Sequence, residues 1–243
     1  MNFGSIKHAA IAAAAMVVGA ASPVLAGDNN GNFMVRLQGT YVDTQDKVNS
    51  LTLNGADIKA LGQGAEVSNE FIPTATLTYF ASKNIAVELF CCFAKVGVDG
   101  KGTILGPLGE VAETWIFPPI LTLQYHFDPI NGIKPYVGAG VQYIHFFNSK
   151  PGKSVGGSVE FDDSFGFALQ AGVDVQLGGG WYANLDVKKV WLDTTVTWRD
   201  PLGPGNVIRS NVDIDPLIVS AGLGYRFNLE DLFGSRSAPA PLK

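Results

Sequence analysis

The chain has 243 residues, a formal net charge of −5 and a hydrophobic fraction of 47%. This length suits one sizeable domain, and the acidic balance argues against nucleic acid as a partner. Beyond the amino-terminal segment there is no apolar run of the roughly 18 residues that a membrane helix needs, which excludes a helical membrane protein. Any membrane crossing must therefore be made by strands.

The amino-terminal segment has the parts of a secretory signal. Lys7 and His8 precede an apolar run from Ala9 to Ala21, and Val24-Leu25-Ala26 supplies the short residues at which a signal peptidase cuts. The apolar run is well short of the roughly 20 residues needed to span a bilayer. We therefore predict a cleaved signal peptide over residues 1–26 and export through the periplasm.

The rest of the chain repeats one pattern, in which about ten residues alternate apolar with polar or small before a turn or loop follows. This period of two is the signature of β-strands, and no helical segment is needed to explain it. The eight predicted strand segments are 32–43, 70–80, 84–95, 112–127, 133–147, 160–177, 181–198 and 212–227.

The connections between these segments alternate in length. Tight turns are predicted at 81–83, 128–132 and 178–180, and long polar loops at 44–69, 96–111, 148–159 and 199–211. Short turns on one side and long loops on the other are typical of outer-membrane barrels. A soluble β-sandwich or lipocalin-like barrel would not show this systematic bias.

The two faces of each segment differ in chemistry. One face is almost entirely apolar and includes many aromatic residues, which are too bulky for the interior of an eight-stranded barrel and are therefore predicted to face lipid. Aromatic residues at the segment ends predict two girdles, with Phe33, Tyr79, Tyr125, Phe127, Trp181, Tyr225 and Phe227 on the turn side, and Tyr41, Phe71, Trp115, Phe117, Tyr143 and Phe161 on the loop side. Residues 27–227 are thus predicted to form an all-β, eight-stranded antiparallel up-and-down transmembrane β-barrel with short periplasmic turns and long extracellular loops.

Several stretches resemble a known family. They include VRLQGTYVDTQDK (Val35–Lys47), LTYFASKNIAVEL (Leu77–Leu89), PPILTLQYHFDP (Pro118–Pro129), KPYVGAGVQYIHFF (Lys134–Phe147) and VDIDPLIVSAGLGYRF (Val212–Phe227). In order and spacing they resemble the OmpW family of small outer-membrane proteins of Gram-negative bacteria, over nearly the whole mature chain. The family usually ends at the last strand, so the residues from Asn228 to Lys243 are expected to form a flexible periplasmic tail.

The resemblance implies a cell outer-membrane location, contact with outer-membrane lipid and dependence on the outer-membrane assembly machinery. It also implies a narrow hydrophobic channel through which small hydrophobic compounds pass before they leave sideways into the bilayer. Some members of the family serve as phage or colicin receptors.

Residues that could carry covalent chemistry are few. His126 and His145 are predicted near opposite ends of their strands, too far apart to share a site, and no triad or nucleophile-elbow spacing accompanies either. Cys91 and Cys92 are adjacent, cannot form a spaced disulfide framework, and are interpreted as small apolar fillers. We predict no enzymatic activity, no cofactor and no metal.

The predicted lumen has two chemically different halves. Towards the periplasm it carries polar residues that must pair with one another at low dielectric and are predicted to form a polar plug: Arg36, Glu88, Gln124, Asp174, Asp186 and Arg226. Towards the loops the same face carries residues that are predicted to form an apolar, outward-opening ligand pocket: Phe90, Ile116, Ile120, Ile144, Phe146, Ile214 and Ile218. The alternative is ordinary filling of a narrow barrel with no ligand.

Four prolines, Pro73, Pro118, Pro119 and Pro216, lie within predicted strands and lack a ladder donor. They mark either places where the wall parts for lateral exit or simple bulges and strand ends.

The sequence leaves two alternative functions open. The first is a narrow channel or binding vestibule for passive passage of small hydrophobic compounds with lateral release. The second is a structural or surface-receptor barrel that acts through its extracellular loops and has a packed, non-conducting lumen.

Overall fold

The computed structural model of the protein describes residues 31–59 and 64–228. The predicted signal peptide and residues 229–243 of the predicted tail lie outside this part of the chain. The strands of the described residues are β1 (Phe33–Asp43), β2 (Lys47–Leu53), β3 (Ala56–Asp57), β4 (Gly64–Val67), β5 (Glu70–Phe80), β6 (Ile85–Cys91), β7 (Ala94–Lys101), β8 (Glu110–Phe117), β9 (Ile120–His126), β10 (Ile133–Pro151), β11 (Ser158–Phe161), β12 (Ser164–Gly178), β13 (Trp181–Trp191), β14 (Asp193–Arg199), β15 (Val207–Asp213) and β16 (Leu217–Phe227).

Helical turns interrupt the pattern of strands between β7 and β8. The helical turn α1 (Gly102–Leu105) and a 3₁₀ turn (Gly106–Leu108) connect β7 to β8. The expectation that no helical segment occurs is therefore wrong at this connection. Within the described part of the chain, no helix has the length and apolar character needed to cross a membrane.

Eight of the strands close into a barrel. They follow the order β1-β5-β6-β9-β10-β12-β13-β16, each antiparallel to its neighbours, and the pairs Phe33↔Phe227 and Val35↔Tyr225 join the last strand to the first. Closure pairs the edge strands that an open sheet would leave exposed. The predicted eight-stranded up-and-down barrel is confirmed.

The apolar face of the barrel wall points outwards. On β1, Arg36 and Thr40 are fully buried in the lumen, while the intervening Leu37 is 67% exposed. The same alternation leaves Leu121, Leu123 and Phe165 exposed on other strands. Since a lipid-facing wall must be apolar and the lumen must hold the polar groups, the alternation predicted from the sequence is confirmed.

Aromatic side chains meet at the periplasmic end of this wall. Phe33 packs against Tyr79 and Phe227 with ring centroids 5.1 and 6.1 Å apart, and Trp181 lies 5.1 Å from Tyr225. At the outer end, Phe161 departs from the predicted girdle. Its ring stacks on that of Phe146 at 5.2 Å and lines an internal cavity, so its assignment to the outer surface is wrong.

Tight turns close the periplasmic end where the sequence predicts them. Between Ile130 and Ile133, Asn131 and Gly132 have φ angles of 52° and 80°. Positive φ at both central residues gives a two-residue hairpin turn whose twist matches that of the strands, and Asn-Gly is the sequence best suited to it.

The extracellular side is more ordered than the sequence suggests. The regions predicted as polar loops contain β2, β3, β4, most of β7 and part of β15, and two sheets, β4-β7-β8-β10 and β11-β14-β15-β2-β3, extend the wall outwards. Their inner faces share one apolar cluster, here called the outer cluster: Leu51, Val98, Val111, Ala112, Val159, Val196, Trp198 and Ile208. Burial of these side chains explains why the segments form strands despite their many polar residues.

Candidate functional site: the barrel lumen

A buried ionic network crosses the periplasmic half of the lumen. Arg36 Nη1 lies 2.7 Å from Glu88 Oε2, and Arg36 Nη2 lies 2.7 Å from Asp174 Oδ2. Lys188 Nζ lies 3.2 Å from Glu88 and 2.6 Å from Asp186. All five side chains are at most 1% exposed. Two cations are thus shared among three carboxylates, and each charge has a partner, as a buried ion requires.

Neutral side chains complete this network. Gln170 donates hydrogen bonds to Glu88 at 2.9 Å and to Asp186 at 2.6 Å, and the Tyr136 hydroxyl donates to Asp186 at 2.7 Å. Asn184 donates to Asp174 at 2.8 Å. Since the groups come from strands on all sides of the barrel, the network fills its cross-section with paired polar atoms.

The predicted polar plug is largely assembled by the fold. Arg36 contacts Glu88 and Asp174 directly. Asp186 is connected to Glu88 through Lys188 and Gln170, and Gln124 joins the network through Gln170 at 3.0 Å. We keep the name polar plug for this network with Lys188, Gln170, Tyr136 and Asn184 included.

Two placements differ from the sequence interpretation of the plug. The structure places Arg226 apart, at the periplasmic mouth, where its Nε donates to the carbonyl of Gly31 at 2.7 Å. Conversely, Lys188 and Tyr136 were not among the predicted plug residues. Lys188 lies on the polar face of its strand, and Tyr136 has the same parity on β10 as the predicted lumen residue Ile144. Alternation therefore places both side chains in the lumen, but the hydrogen bond from the Tyr136 hydroxyl to Asp186 is not visible in the sequence.

An apolar pocket lies directly above the plug. All seven residues predicted for it share one cluster, in which Phe90, Ile120, Ile144 and Ile218 are at most 5% exposed and Ile116, Phe146 and Ile214 are partly buried. The pocket encloses a cavity of about 90 Å³, which all of these residues line except Ile120. Lys188 Nζ lies 4.9 Å from the centre of the Phe90 ring and marks the border with the plug. The role of these residues in ligand binding remains a prediction.

One polar side chain lies in the wall of this cavity without a complete set of partners. Gln142 is 3% exposed, and its Nε2 donates to the Pro118 carbonyl at 3.5 Å. Its Oε1 is buried and has no hydrogen-bond partner among the described residues. The pocket therefore combines mostly apolar walls with a buried amide oxygen that could accept a hydrogen bond.

The roof of the pocket is formed by the outer cluster. Trp198 and Ala65 line both the main cavity and a second cavity of about 30 Å³, which extends outwards to Leu108 and Leu202. The Trp198 Nε1 donates to the Val111 carbonyl at 3.2 Å, which holds the indole in place. The expectation that the pocket opens freely outwards is thus corrected, because the ordered extracellular sheets cover it.

The side wall of the pocket is interrupted. The pairing of β5 with β6 ends at Ala75↔Cys91. Farther towards the outside, pairing resumes between β4 and β7 at Val67↔Val98. Residues 69–74 and 92–96, all of them described, have no backbone hydrogen bonds to each other. We call this interruption the lateral opening. Cavity-lining residues border it on both sides: Glu70, Ile72, Cys92, Ala94 and Val96.

The four prolines divide between the two interpretations offered above. Pro73 lies within the lateral opening, and Pro118 and Pro119 lie in a shorter interruption between Phe90↔Ile120 and Ala94↔Ile116. Pro216 lies between β15 and β16, where its carbonyl still accepts a hydrogen bond from Val190 and the wall stays joined. Only the first three therefore accompany a parting of the wall.

The two histidines have separate surroundings. His126 is buried between the rings of Phe80 and Tyr136, at 5.0 and 4.8 Å. His145 lies on the outside and contacts Asp163 Oδ2 at 2.8 Å. Among the described residues, no group of three or more His, Cys, Asp and Glu side chains is placed to hold a metal ion.

A closed eight-stranded barrel with a lipid-facing apolar wall and a polar lumen defines an outer-membrane β-barrel protein. The model of the OmpW family matches residues 29–227, and the chain belongs to this family. It is 35% identical over 198 residues to the uncharacterized outer-membrane protein y4mB of Sinorhizobium fredii, with 80% of each chain covered. It is 32% identical over 207 residues to outer membrane protein AlkL of Ectopseudomonas oleovorans, covering 83% of this chain and 85% of that protein.

Solved structures agree with this assignment. The crystal structure of OprG from Pseudomonas aeruginosa superposes with a TM-score of 0.74 at 30% identity, and the match covers 82% of this chain and 96% of that chain. The protein is therefore an outer-membrane barrel of the OmpW, AlkL and OprG type.

Proposed function

We propose that the protein provides passive passage for small hydrophobic compounds, which occupy the apolar pocket and leave through the lateral opening. The observation that carries this proposal is that residues of one apolar cavity border the interruption in the barrel wall. The mature barrel of this proposal begins after Ala26, and it needs no cofactor, metal or covalent step.

The polar plug supports a sideways rather than a straight route. An apolar solute that entered the plug would separate paired charges such as Arg36 and Glu88 without offering them any hydrogen bond. The lateral opening, in contrast, leads sideways to the hydrocarbon region of the membrane, where an apolar solute is stable. Passage from the pocket into the bilayer therefore keeps the solute in apolar surroundings and needs no energy source.

Entry from the outside requires movement of Trp198. This residue separates the two cavities, and Trp198→Ala would join them by removing the indole. We expect the variant to take up naphthalene several-fold faster than the wild type, measured with radiolabelled solute in Gram-negative cells that lack their own family member. Arg199→Ala, in an exposed ion pair on the same strand, is the control. Equal uptake by the two variants would show that Trp198 does not limit entry.

Exit can be blocked by joining the two edges of the lateral opening. Ile72→Cys and Ala94→Cys place one thiol on each edge, in a background with Cys91→Ser and Cys92→Ser that removes the native thiols. Linking the new thiols by oxidation or with a short bis-maleimide should lower solute uptake at least tenfold, because the edges can no longer separate. The same protein before linking is the matched control. Unchanged uptake after complete linking would exclude lateral release.

A surface-receptor role is the second candidate, and the ordered extracellular sheets favour it. The sheet β11-β14-β15-β2-β3 presents a fixed surface to the outside instead of mobile loops. Replacing the exposed residues from Asn54 to Asp57, which line neither cavity, would then abolish adsorption of a phage or colicin while solute uptake persists. Loss of uptake with unchanged adsorption would favour the channel.

A further inference from the structure

A separate cavity lies at the periplasmic mouth, on the far side of the plug from the apolar pocket. It has a volume of about 400 Å³, and its lining includes Phe80, Pro129, Lys134, Tyr182 and Arg226. We call it the periplasmic vestibule. Its aromatic rings and cationic side chains distinguish it from the almost wholly apolar pocket above the plug.

No carboxylate of residues 31–59 and 64–228 forms an ion pair with Arg226. The side chain is 8% exposed, and its guanidinium carbon lies 4.0 Å from the centre of the Phe80 ring. Its Nε donates to the Gly31 carbonyl, while its two terminal nitrogens have no acceptor among the described residues. A guanidinium has five N–H donors, so four of them remain available to a ligand.

Lys134 adds a second cation beside the same ring. Its Nζ lies 5.3 Å from the centre of the Phe80 ring and donates to the carbonyl of Lys83 at 3.1 Å. No carboxylate of the described residues lies within ion-pair distance of it. Lys83, in contrast, pairs with Asp128 at 2.8 Å, and hydrogen bonds from Lys83 and Asn84 hold the pKa of Asp128 below its ordinary value.

We propose that the periplasmic vestibule is a binding site for a carboxylate group. Two cations around one aromatic ring repel each other, and an anion between them would offset that repulsion and accept the free N–H donors of Arg226. Phe80, Tyr182 and Pro129 supply apolar contacts for the remainder of the ligand. An aromatic or short aliphatic carboxylate therefore fits the site, and the inference is independent of the channel proposed above.

The carboxylate has two potential sources. Asn32 N donates to Asn228 Oδ1 at 3.1 Å, which brings both ends of the described chain to this mouth. The sequence places Asp28 just before Gly31, and Glu230 and Asp231 just after Asn228. The ligand is thus either a side chain of these flanking residues or a diffusible carboxylate from the periplasm.

Benzoate is a suitable probe, with benzamide as its uncharged counterpart. The full-length protein in lipid nanodiscs is titrated with each compound, and binding is followed through the NMR resonances of the Arg226 guanidinium and the Lys134 ammonium. A parallel titration uses the variant D28N/E230Q/D231N, which removes the flanking carboxylates. Binding of benzoate but not benzamide to both proteins identifies a diffusible ligand. If benzoate binds only to the variant, the flanking carboxylates occupy the site in the wild type. The same conclusion holds if the three substitutions shift the two cation resonances in the absence of benzoate.

Two further variants separate charge from folding. Lys134→Gln and Arg226→Gln should each weaken benzoate binding at least fivefold, whereas Lys95→Gln, in an exposed pair on the extracellular side, should leave it unchanged. Retention of the compact form in unheated gels confirms that each barrel is folded. The proposal is overturned if benzoate binds neither protein and the cation resonances are the same in both, or if benzamide binds as well as benzoate.

Discussion

Phe146→Arg is expected to reduce uptake of a small apolar solute to the level of cells that lack the protein. Phe146 lines the apolar cavity and packs on Phe161, so the substitution brings a charged group into a space whose walls are mostly apolar. The hydration that such a charge retains would fill the cavity and exclude an apolar solute. Initial rates of radiolabelled toluene uptake, compared at equal amounts of protein in the outer membrane, measure the effect.

The neighbouring residue provides a matched control. Phe147 lies on the opposite face of β10 and stacks on Trp115 with ring centroids 6.5 Å apart. Phe147→Arg adds the same charge outside the cavity, near the end of the wall, where an arginine is tolerated. Uptake by this variant should stay close to that of the wild type. Undiminished uptake by Phe146→Arg would mean that solutes do not use the pocket.

Ile120→Arg is a less informative version of this experiment. Ile120 is fully buried in the same cluster but does not line the cavity, and the ring of its cross-strand neighbour Phe90 already contacts the Lys188 ammonium. A second cation there would disturb the plug and destabilise the barrel as well as block the cavity. Phe146 is partly buried and nearer the outside, so its substitution tests passage with less risk to folding.

The barrel and the composition of its lumen could be predicted because both depend on alternation within single strands. A period of two fixes which side chains share a face, and the tight turns fix which strands are neighbours. Phe90, Ile120 and Ile218 could thus be assigned to one pocket although they lie on three strands. The charge pairs of the plug could be predicted in the same way. Alternation places the charged side chains inside the barrel, and a buried ion needs a partner of opposite charge.

Features that depend on contacts between distant segments could not be predicted in this way. The lateral opening exists because residues 69–74 and 92–96 do not pair. Pro73 is a local sign of a missing ladder bond, but a proline alone does not distinguish a parting of the wall from a bulge. The extracellular strands acquire a buried face only where two sheets meet over Trp198 and Val98. From the sequence, Phe161 is predicted to be another girdle aromatic, because it lies at a strand end. Its inward position depends on the extracellular sheets, which the sequence does not predict.

Arg36→Met is expected to destabilise the folded barrel more than any single substitution on its surface. The methionine has a similar length but leaves Asp174 without a cation and Glu88 with Lys188 alone. Removing one partner of a buried ion pair typically costs about 3–5 kcal/mol, because the remaining charge stays buried. The midpoint of urea-induced unfolding in lipid vesicles, followed by tryptophan fluorescence, measures the loss.

A double variant separates the effect of losing the Arg36 charge from the effect of changing its packing. In Arg36→Met/Asp174→Asn the second substitution neutralises the carboxylate that lost its partner, so part of the lost stability should return. Lys95→Met removes an exposed cation from its pair with Glu113 and should change the midpoint little, since solvent screens that pair. If Arg36→Met behaves like Lys95→Met, the network is not the tightly paired barrier described above. A straight path through the barrel would then compete with the lateral one, and increased ion conductance of the variant in planar bilayers would detect it.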